Sequence, residues 1–521
     1  MPTFRSSLIV VLVLALSLYG LFIYRTTWKV HGEFQVTLVD DAMVSMCYAR
    51  NLAAGAGLVW NVGEAPVEGF SNLLWVLMMA AFHVLSLPPS GIALAVTICS
   101  ALALLGNIVI VWRIANEISP RIWLGPALAI FLTAVYFPLV FWSLRGLELG
   151  LVCLLLNAST LCVIRLYVRP QKSAVWILIA CLSLALLTRP DTIVQVSVLL
   201  LAGIALLLRA QKPASAVLLF CFVLATGISL AVFRYLYFGD LFPNTYYLKV
   251  TGAGLGERMA VGFQLFFEKS GPRTLFFFCV AAGAFLLPDA RLKKAVGFLG
   301  VLFLSQFVYD IYVGGDFAER LVGGENRFLA QAFGPLIIAY SVTVPHLVGL
   351  KPWERSGAAP FRLETVYVLL LVGLGSAALL SGKEWDQWRT ENAPMLGSDI
   401  DRMRLGLVLE RGTRNDAVIA VHAAGNIPYY SRRKTIDLLG KNDKVIARGP
   451  AKGRFASGHN KWDYDYSIGT LRPDIIADEY GTLWEYLQKH PGEYELLPPH
   501  GIFVRPHSER IMPDILSQTT W

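Results

Sequence analysis

The sequence predicts an α-helical polytopic membrane protein of about eleven transmembrane helices, one juxtamembrane helix and a small C-terminal α/β domain outside the bilayer. Three observations predict it. Of 521 residues 55% are hydrophobic and only 16% charged, where soluble domains run near a quarter charged. Apolar stretches close to the ~20 residues needed to cross a bilayer recur along the first 382 positions. From residue 383 onward 19 basic and 19 acidic residues balance, and apolar runs there are short and strand-like.

The apolar runs lie at 7–24, 72–87, 91–112, 122–142, 147–164, 174–187, 192–208, 214–236, 274–288, 295–312, 328–347 and 364–381. Residues 1–24 have the basic start and apolar core of a signal peptide but no small-residue cleavage site, and read as an uncleaved first span. Loop charge sorts the remainder. Arg5, Arg113/Arg121, Arg165/Arg169/Lys172, Arg209/Lys212, Arg291/Lys293/Lys294 and Lys351/Arg355/Arg362 all fall on one side if 72–87 does not cross. The positive-inside tendency therefore makes 72–87, which carries Asn72 and His83, a juxtamembrane or re-entrant helix. Loops 25–71, 143–148, 188–191, 237–273 and 313–327 then share the exoplasmic face with the tail. The domains expected are 1–382 in the membrane and 383–521 outside it. In the tail, Asp416–His422 and Pro473–Ala477 read as strands.

The formal charge of +8 lies wholly in the first 382 residues, on the loops that orient the spans. It is an orientation signal and excludes nucleic acid as a partner. Six of the seven cysteines sit in apolar runs and none lies beyond Cys279, so the tail has neither a disulfide framework nor a zinc site. His422 and His459 are isolated, and no HExxH or GxSxG string occurs. The glycine-rich stretch 314–324 lacks GxxxxGK[ST] and GxGxxG, which rejects a nucleotide site.

Chemistry concentrates on the exoplasmic face. The first loop carries Asp40-Asp41, Glu68 and Asn72. A carboxylate there can act as general base on a hydroxyl; the alternative is capping of the helix that runs to Ala54, and the pair permits one capping and one free aspartate. Arg145 with Glu148, Arg189 with Asp191, Lys249 after Tyr246, and Asp316 with Arg327 stand where spans meet that face. Ionisable groups at this depth pair or do work. Arginine and lysine there suit the phosphate of a lipid-carried donor.

The strings Asp40-Asp41-Ala42, Gly57–Asn61 and Glu68–Asn72, with Leu144–Glu148, Leu187–Asp191, Phe242–Lys249, Val313–Asp316 and Asn326–Phe328, resemble the GT-C superfamily of polyprenyl-phosphate-sugar-dependent glycosyltransferases. Within it they are most similar to the AftB-like terminal arabinofuranosyltransferases of mycobacterial cell walls. The resemblance covers most of 36–330; the tail, with Ala423–Tyr430, Ile436–Gly440 and Gly458–Lys461, matches less closely. It implies a GT-C fold in a bacterial cytoplasmic membrane and inverting transfer of a sugar, arabinofuranose in the nearest case. The donor would be a polyprenyl-phosphate sugar and the acceptor a hydroxyl of an envelope glycan, lipid or protein. It implies Asp41, or Asp40, as general base, and Lys249 and Arg327, then Arg145 and Arg189, at the donor phosphate. Glu148, Asp191, Asp316, Glu68, Asn72 and Tyr246 would hold the sugar or orient those cations. No cofactor or metal is required where cations neutralise one phosphate. The competing classes are a transporter or flippase of a lipid-linked sugar, and a non-catalytic glycan-binding scaffold.

Overall fold

The computed structural model describes residues 2–30, 33–120, 122–320, 326–347, 372–377, 379–380, 383–477, 482–498 and 500–518. Among them seven helices are long and apolar enough to cross a membrane, and eight if the bent pair Leu124–Val135 and Phe137–Leu144 counts as one span. Lys172–Thr188 and Gly271–Leu286 are apolar and shorter. Every apolar run expected to cross coincides with one of these helices except 364–381, most of which lies outside the described residues. The juxtamembrane run is the helix Leu73–Val84. Twelve residues at ~1.5 Å each reach about 18 Å, short of the ~30 Å hydrocarbon core.

The chain divides into two compact units. The first comprises Met1–Arg25, Thr97–Leu230 and Met259–Pro394. Its core is the near-continuous apolar packing of span helices, such as Leu178, Leu182, Leu199 and Leu219. Arg327–Leu347 is buried along nearly its whole length, although Pro335 and Pro345 stand inside it. The bent pair breaks at Tyr136, where Pro138 opens the second helix and cannot donate to the ladder. That second helix ends at Leu144, and Gly146 (φ 99°) then turns the chain through Arg145–Glu148 into Leu149–Val168. Glu148 occupies the N-cap position of Leu149–Val168 without using its side chain as a cap.

The second unit comprises Thr26–Val96, Ala231–Arg258 and Met395–Trp521. The unit that contains the tail therefore begins at Met395 and takes in two loop regions from the first 382 residues. Its five-stranded sheet has the order β4-β3-β5-β7-β6, with β3 Val418–Val421, β4 Lys434–Asp437, β5 Ile475–Ile476, β6 Glu495–Leu497 and β7 Ile502–Val504. β3 pairs in parallel with β4 and β5; β7 is antiparallel to β5 and β6. The two expected strands are β3 and β5. Ala420, Ile436, Ile476 and Phe503 bury one face with Ile468 and Leu483. A separate antiparallel pair, β1 Trp28–Val30 and β2 Glu33–Gln35, precedes the helix Asp40–Ala53.

Candidate active site

In the second unit Asp40 and Asp41 both stand in the first turn of Asp40–Ala53, where carboxylates favour a helix N-terminus. Neither caps that helix locally, since Val39 is the N-cap and no side-chain cap bond forms. The expected division into one capping and one free aspartate takes a longer-range form. Asp40 accepts from the backbone N–H groups of Asn426 (2.8 Å) and Gly425 (3.2 Å), at the start of the helix Asn426–Ser431. In return the Asp40 N–H donates to Asp399 Oδ1 at 3.2 Å, and Asp399 is fully buried. Burial raises the Asp40 carboxyl above the ordinary range, while Arg402, the Asn426 N–H and Lys441 pull it down.

Asp41 points elsewhere. Its carboxylate pairs with the Lys441 ammonium, and the two side chains are 35% and 27% exposed, open to a ligand. Asp40 is thus bound into the fold while Asp41 remains accessible.

The other first-loop residues dock this loop onto the C-terminal segment of the same unit. Asn51 Nδ2 donates to the carbonyls of Val59 and Trp60 (both 2.9 Å), and Trp60 Nε1 donates to the Ala424 carbonyl at 3.2 Å. Asn61 exchanges two bonds with the backbone of Thr435, covering the open edge of β4. Arg50 Nη1 donates to the Tyr429 carbonyl at 2.6 Å and lies over its ring. Glu68 is held by Arg234 Nε at 3.0 and 2.9 Å, both side chains nearly dry. Burial pushes Glu68 up to about 7 against the pull of Arg234. Asn72 is buried and accepts from Ser45 Oγ at 2.9 Å. Tyr246 is half-buried and stacks on Phe242. Lys249, in the helix Asn244–Val250, runs its stem over Gly458, at whose Cα any Cβ would lie 3.6 Å from Lys249 Cγ.

In the first unit the structure brings together the remaining candidates as ion pairs. Arg189 grips Asp191 with a two-toothed fork, Nε–Oδ1 and Nη2–Oδ2 both at 2.9 Å, and its Nη1 donates to Glu148 Oε1 at 2.8 Å. Gln331 adds a 3.3 Å bond to Asp191. Asp316 receives a second fork from Arg327, Nε–Oδ2 and Nη2–Oδ1 both at 2.7 Å, and Arg327 lies over the Trp142 ring. Arg145 is 1% exposed. These carboxylates hold arginines in fixed planes, which preorganises them for a phosphate or keeps them as buried pairs. Asn326 explains the third letter of its motif: its Oδ1 caps Phe328 and Leu329, and its Nδ2 donates to the buried Asp310 at 2.8 Å.

Sequence reasoning missed Lys441, Arg234, Asp399, Asp310 and Asn426. Arg234 carried the one available signal, a charge inside an apolar run. Among the described residues no group of three or more His, Cys, Asp or Glu side chains could hold a metal ion.

Comparison with known proteins follows the same division. A family model described only as a domain of unknown function, DUF8728, matches residues 386–511. A terminal β-(1→2)-arabinofuranosyltransferase of Mycobacterium tuberculosis is 24% identical over 84% of this chain and 70% of its own length. The oligosaccharyltransferase of Archaeoglobus fulgidus superimposes with a TM-score of 0.57 at 11% identity, covering 97% of this chain and 74% of its own. ArnT of Cupriavidus metallidurans does so at 0.54 and 12% identity, covering 95% and 97%. The fold is that of the GT-C glycosyltransferases. The resemblance read from the sequence is borne out, and with it the reading of the chain as a multi-pass membrane glycosyltransferase. In GT-C terms the second unit holds the acidic first loop and the first unit the arginine forks.

Proposed function

We propose that this GT-C chain is an inverting glycosyltransferase that moves a sugar from a polyprenyl-phosphate donor to a hydroxyl of an envelope glycan, lipid or protein. The reaction takes place on the exoplasmic face of a bacterial cytoplasmic membrane. The observation that carries this reading is the division of labour between the aspartates: Asp40 is bound by Gly425 and Asn426, whereas Asp41 faces solvent beside a cation. The relatives support the donor class. One A. fulgidus structure is a complex with a dolichol-phosphate and an inhibitory peptide, and one ArnT structure is bound to undecaprenyl phosphate. The mycobacterial relative is by name an arabinofuranosyltransferase, which supports arabinofuranose as the sugar.

The chemistry is a single displacement. The acceptor oxygen bonds to the anomeric carbon as the bond from that carbon to the phosphate oxygen breaks. The electron pair leaves with the phosphate, and the hydroxyl proton passes to Asp41. Lys249 and Arg327, then Arg145 and Arg189, are the cations for the phosphate's growing charge. Glu148, Asp191 and Asp316 orient those arginines. Glu68 is committed to Arg234 and Asn72 to Ser45, so their contribution to sugar binding is through the shape of the first loop.

The test is transfer from a polyprenyl-phosphate arabinofuranose donor to envelope glycan by the purified full chain. Asp41→Asn should lower turnover ~10²- to 10⁴-fold, the contribution of a general base, with the melting temperature unchanged. Full transfer by that variant removes Asp41 as base, and transfer only from a different activated sugar replaces the donor.

A further inference from the structure

Lys441 belongs to the stretch matched by the domain of unknown function and has no place in the sequence motifs. Its loop is nonetheless built with care. Asp437 accepts from the N–H groups of Leu439 and Gly440 (3.0 Å each) and Asn442 (2.7 Å) and from the Asn442 amide (3.0 Å). Gly440 takes the left-handed conformation (φ 81°) that this tight turn needs. From the opposite side Asn244 Nδ2 donates to the carbonyls of Gly440, Lys441 and Asp443, at 2.9, 3.0 and 3.2 Å. Tyr48, from the helix that carries Asp41, donates to Asn442 Oδ1 at 2.9 Å. Backbone donors and acceptors on both flanks of Lys441 are thus fixed, and only its four-carbon stem is left to move.

The fixed loop delivers an ammonium to the Asp41 carboxylate, with both side chains about one-third exposed. A carboxylate satisfied by an ammonium is a poor acceptor for a substrate proton. The ammonium must leave before Asp41 can act as a base, and it leaves for a better anion. A phosphate monoester or diester carried to the mouth of this site supplies one.

Resting on the donor class proposed above, we infer that Lys441 is a shared cation: it pairs with Asp41 when the site is empty and transfers to the donor phosphate when lipid binds. The base is thereby released only when a donor is present. The C-terminal segment of unknown function would then supply a substrate-contacting side chain.

Binding of a polyprenyl monophosphate to the full chain in detergent tests this, with four chains compared: wild type, Lys441→Met, Asp41→Asn and the double variant. Lys441→Met should weaken binding about 10- to 100-fold, the value of one charge-assisted contact, and Lys441→Arg should retain most of it. Asp41→Asn should tighten binding, because it frees the lysine, and the tightening should vanish when Lys441 is already Met. Equal tightening in both backgrounds, or wild-type affinity in Lys441→Met, overturns the inference. A wild-type chain that binds no polyprenyl phosphate overturns the donor reading along with it.

Discussion

Gly425→Ala isolates the contact on which the placement of the aspartates depends. A Cβ built at Gly425 would stand 1.9 Å from the Asp40 carbonyl oxygen and 3.0 Å from its Oδ1. Real Cβ contacts essentially never fall under 3.0 Å, and the obstructing atom is backbone, so the segment and the first turn of Asp40–Ala53 must part by about 1.1 Å. The Gly425 backbone (φ −113°) is open to alanine, so the whole effect is steric. Overpacking of this kind costs ~1–3 kcal/mol. A displacement of about 1 Å at a catalytic group lowers turnover ~100-fold. Sugar transfer and the thermal midpoint of the purified chain should both fall. Gly256→Ala, where nothing lies within 4 Å, is the control and should leave both unchanged. A Gly425→Ala chain that melts and turns over like wild type would refute the reasoning, since the two segments would then not be in contact.

Two further outcomes are expected. Arg189→Met strands Asp191 and Glu148, 7% and 3% exposed, without their cation; breaking a buried pair in this way costs ~3–5 kcal/mol, whereas Arg189→Lys should lose clearly less, and equal thermal midpoints for the two variants would sink the idea. Lys461, 1% exposed, donates to Tyr247 O, Thr251 Oγ1 and Ala447 O, and burial pushes it down from 10.5 to about 8. Between those values the unfolded chain holds a proton that the folded chain has lost, so stability should rise with pH from about 8 to 10.5. Lys461→Met should lack that rise; parallel midpoints for wild type and variant across pH 7 to 10 would contradict it.

The spans were legible because their apolar runs are local, and the tail's strands for the same reason. The two aspartates were legible as a polar cluster after a span, but their roles were not. Local capping rules offered Asp40 its own helix, whereas the partner that decides its role, Asn426, lies 386 positions away. Lys441 was illegible because nothing near it in sequence marks it; its meaning comes from Asn244 and Asp41, both brought to it by folding. Glu68 read as a sugar ligand because Arg234, its counterion, is hidden in an apolar run. The Gly57–Asn61 string read as part of a motif, and its residues turn out to hold the loop to the sheet through Trp60 and Asn61.

The assembly of the second unit from three separated stretches also has a consequence for how the protein is made. The ribosome releases the first loop hundreds of residues before the segment that holds Asp40, and contacts of such sequence separation form late. A nascent chain with its early helices already inserted therefore carries Asp41 on a helix whose first turn has no anchor. The catalyst comes into being only when the chain is nearly finished, so half-made copies in the membrane cannot spend donor lipid.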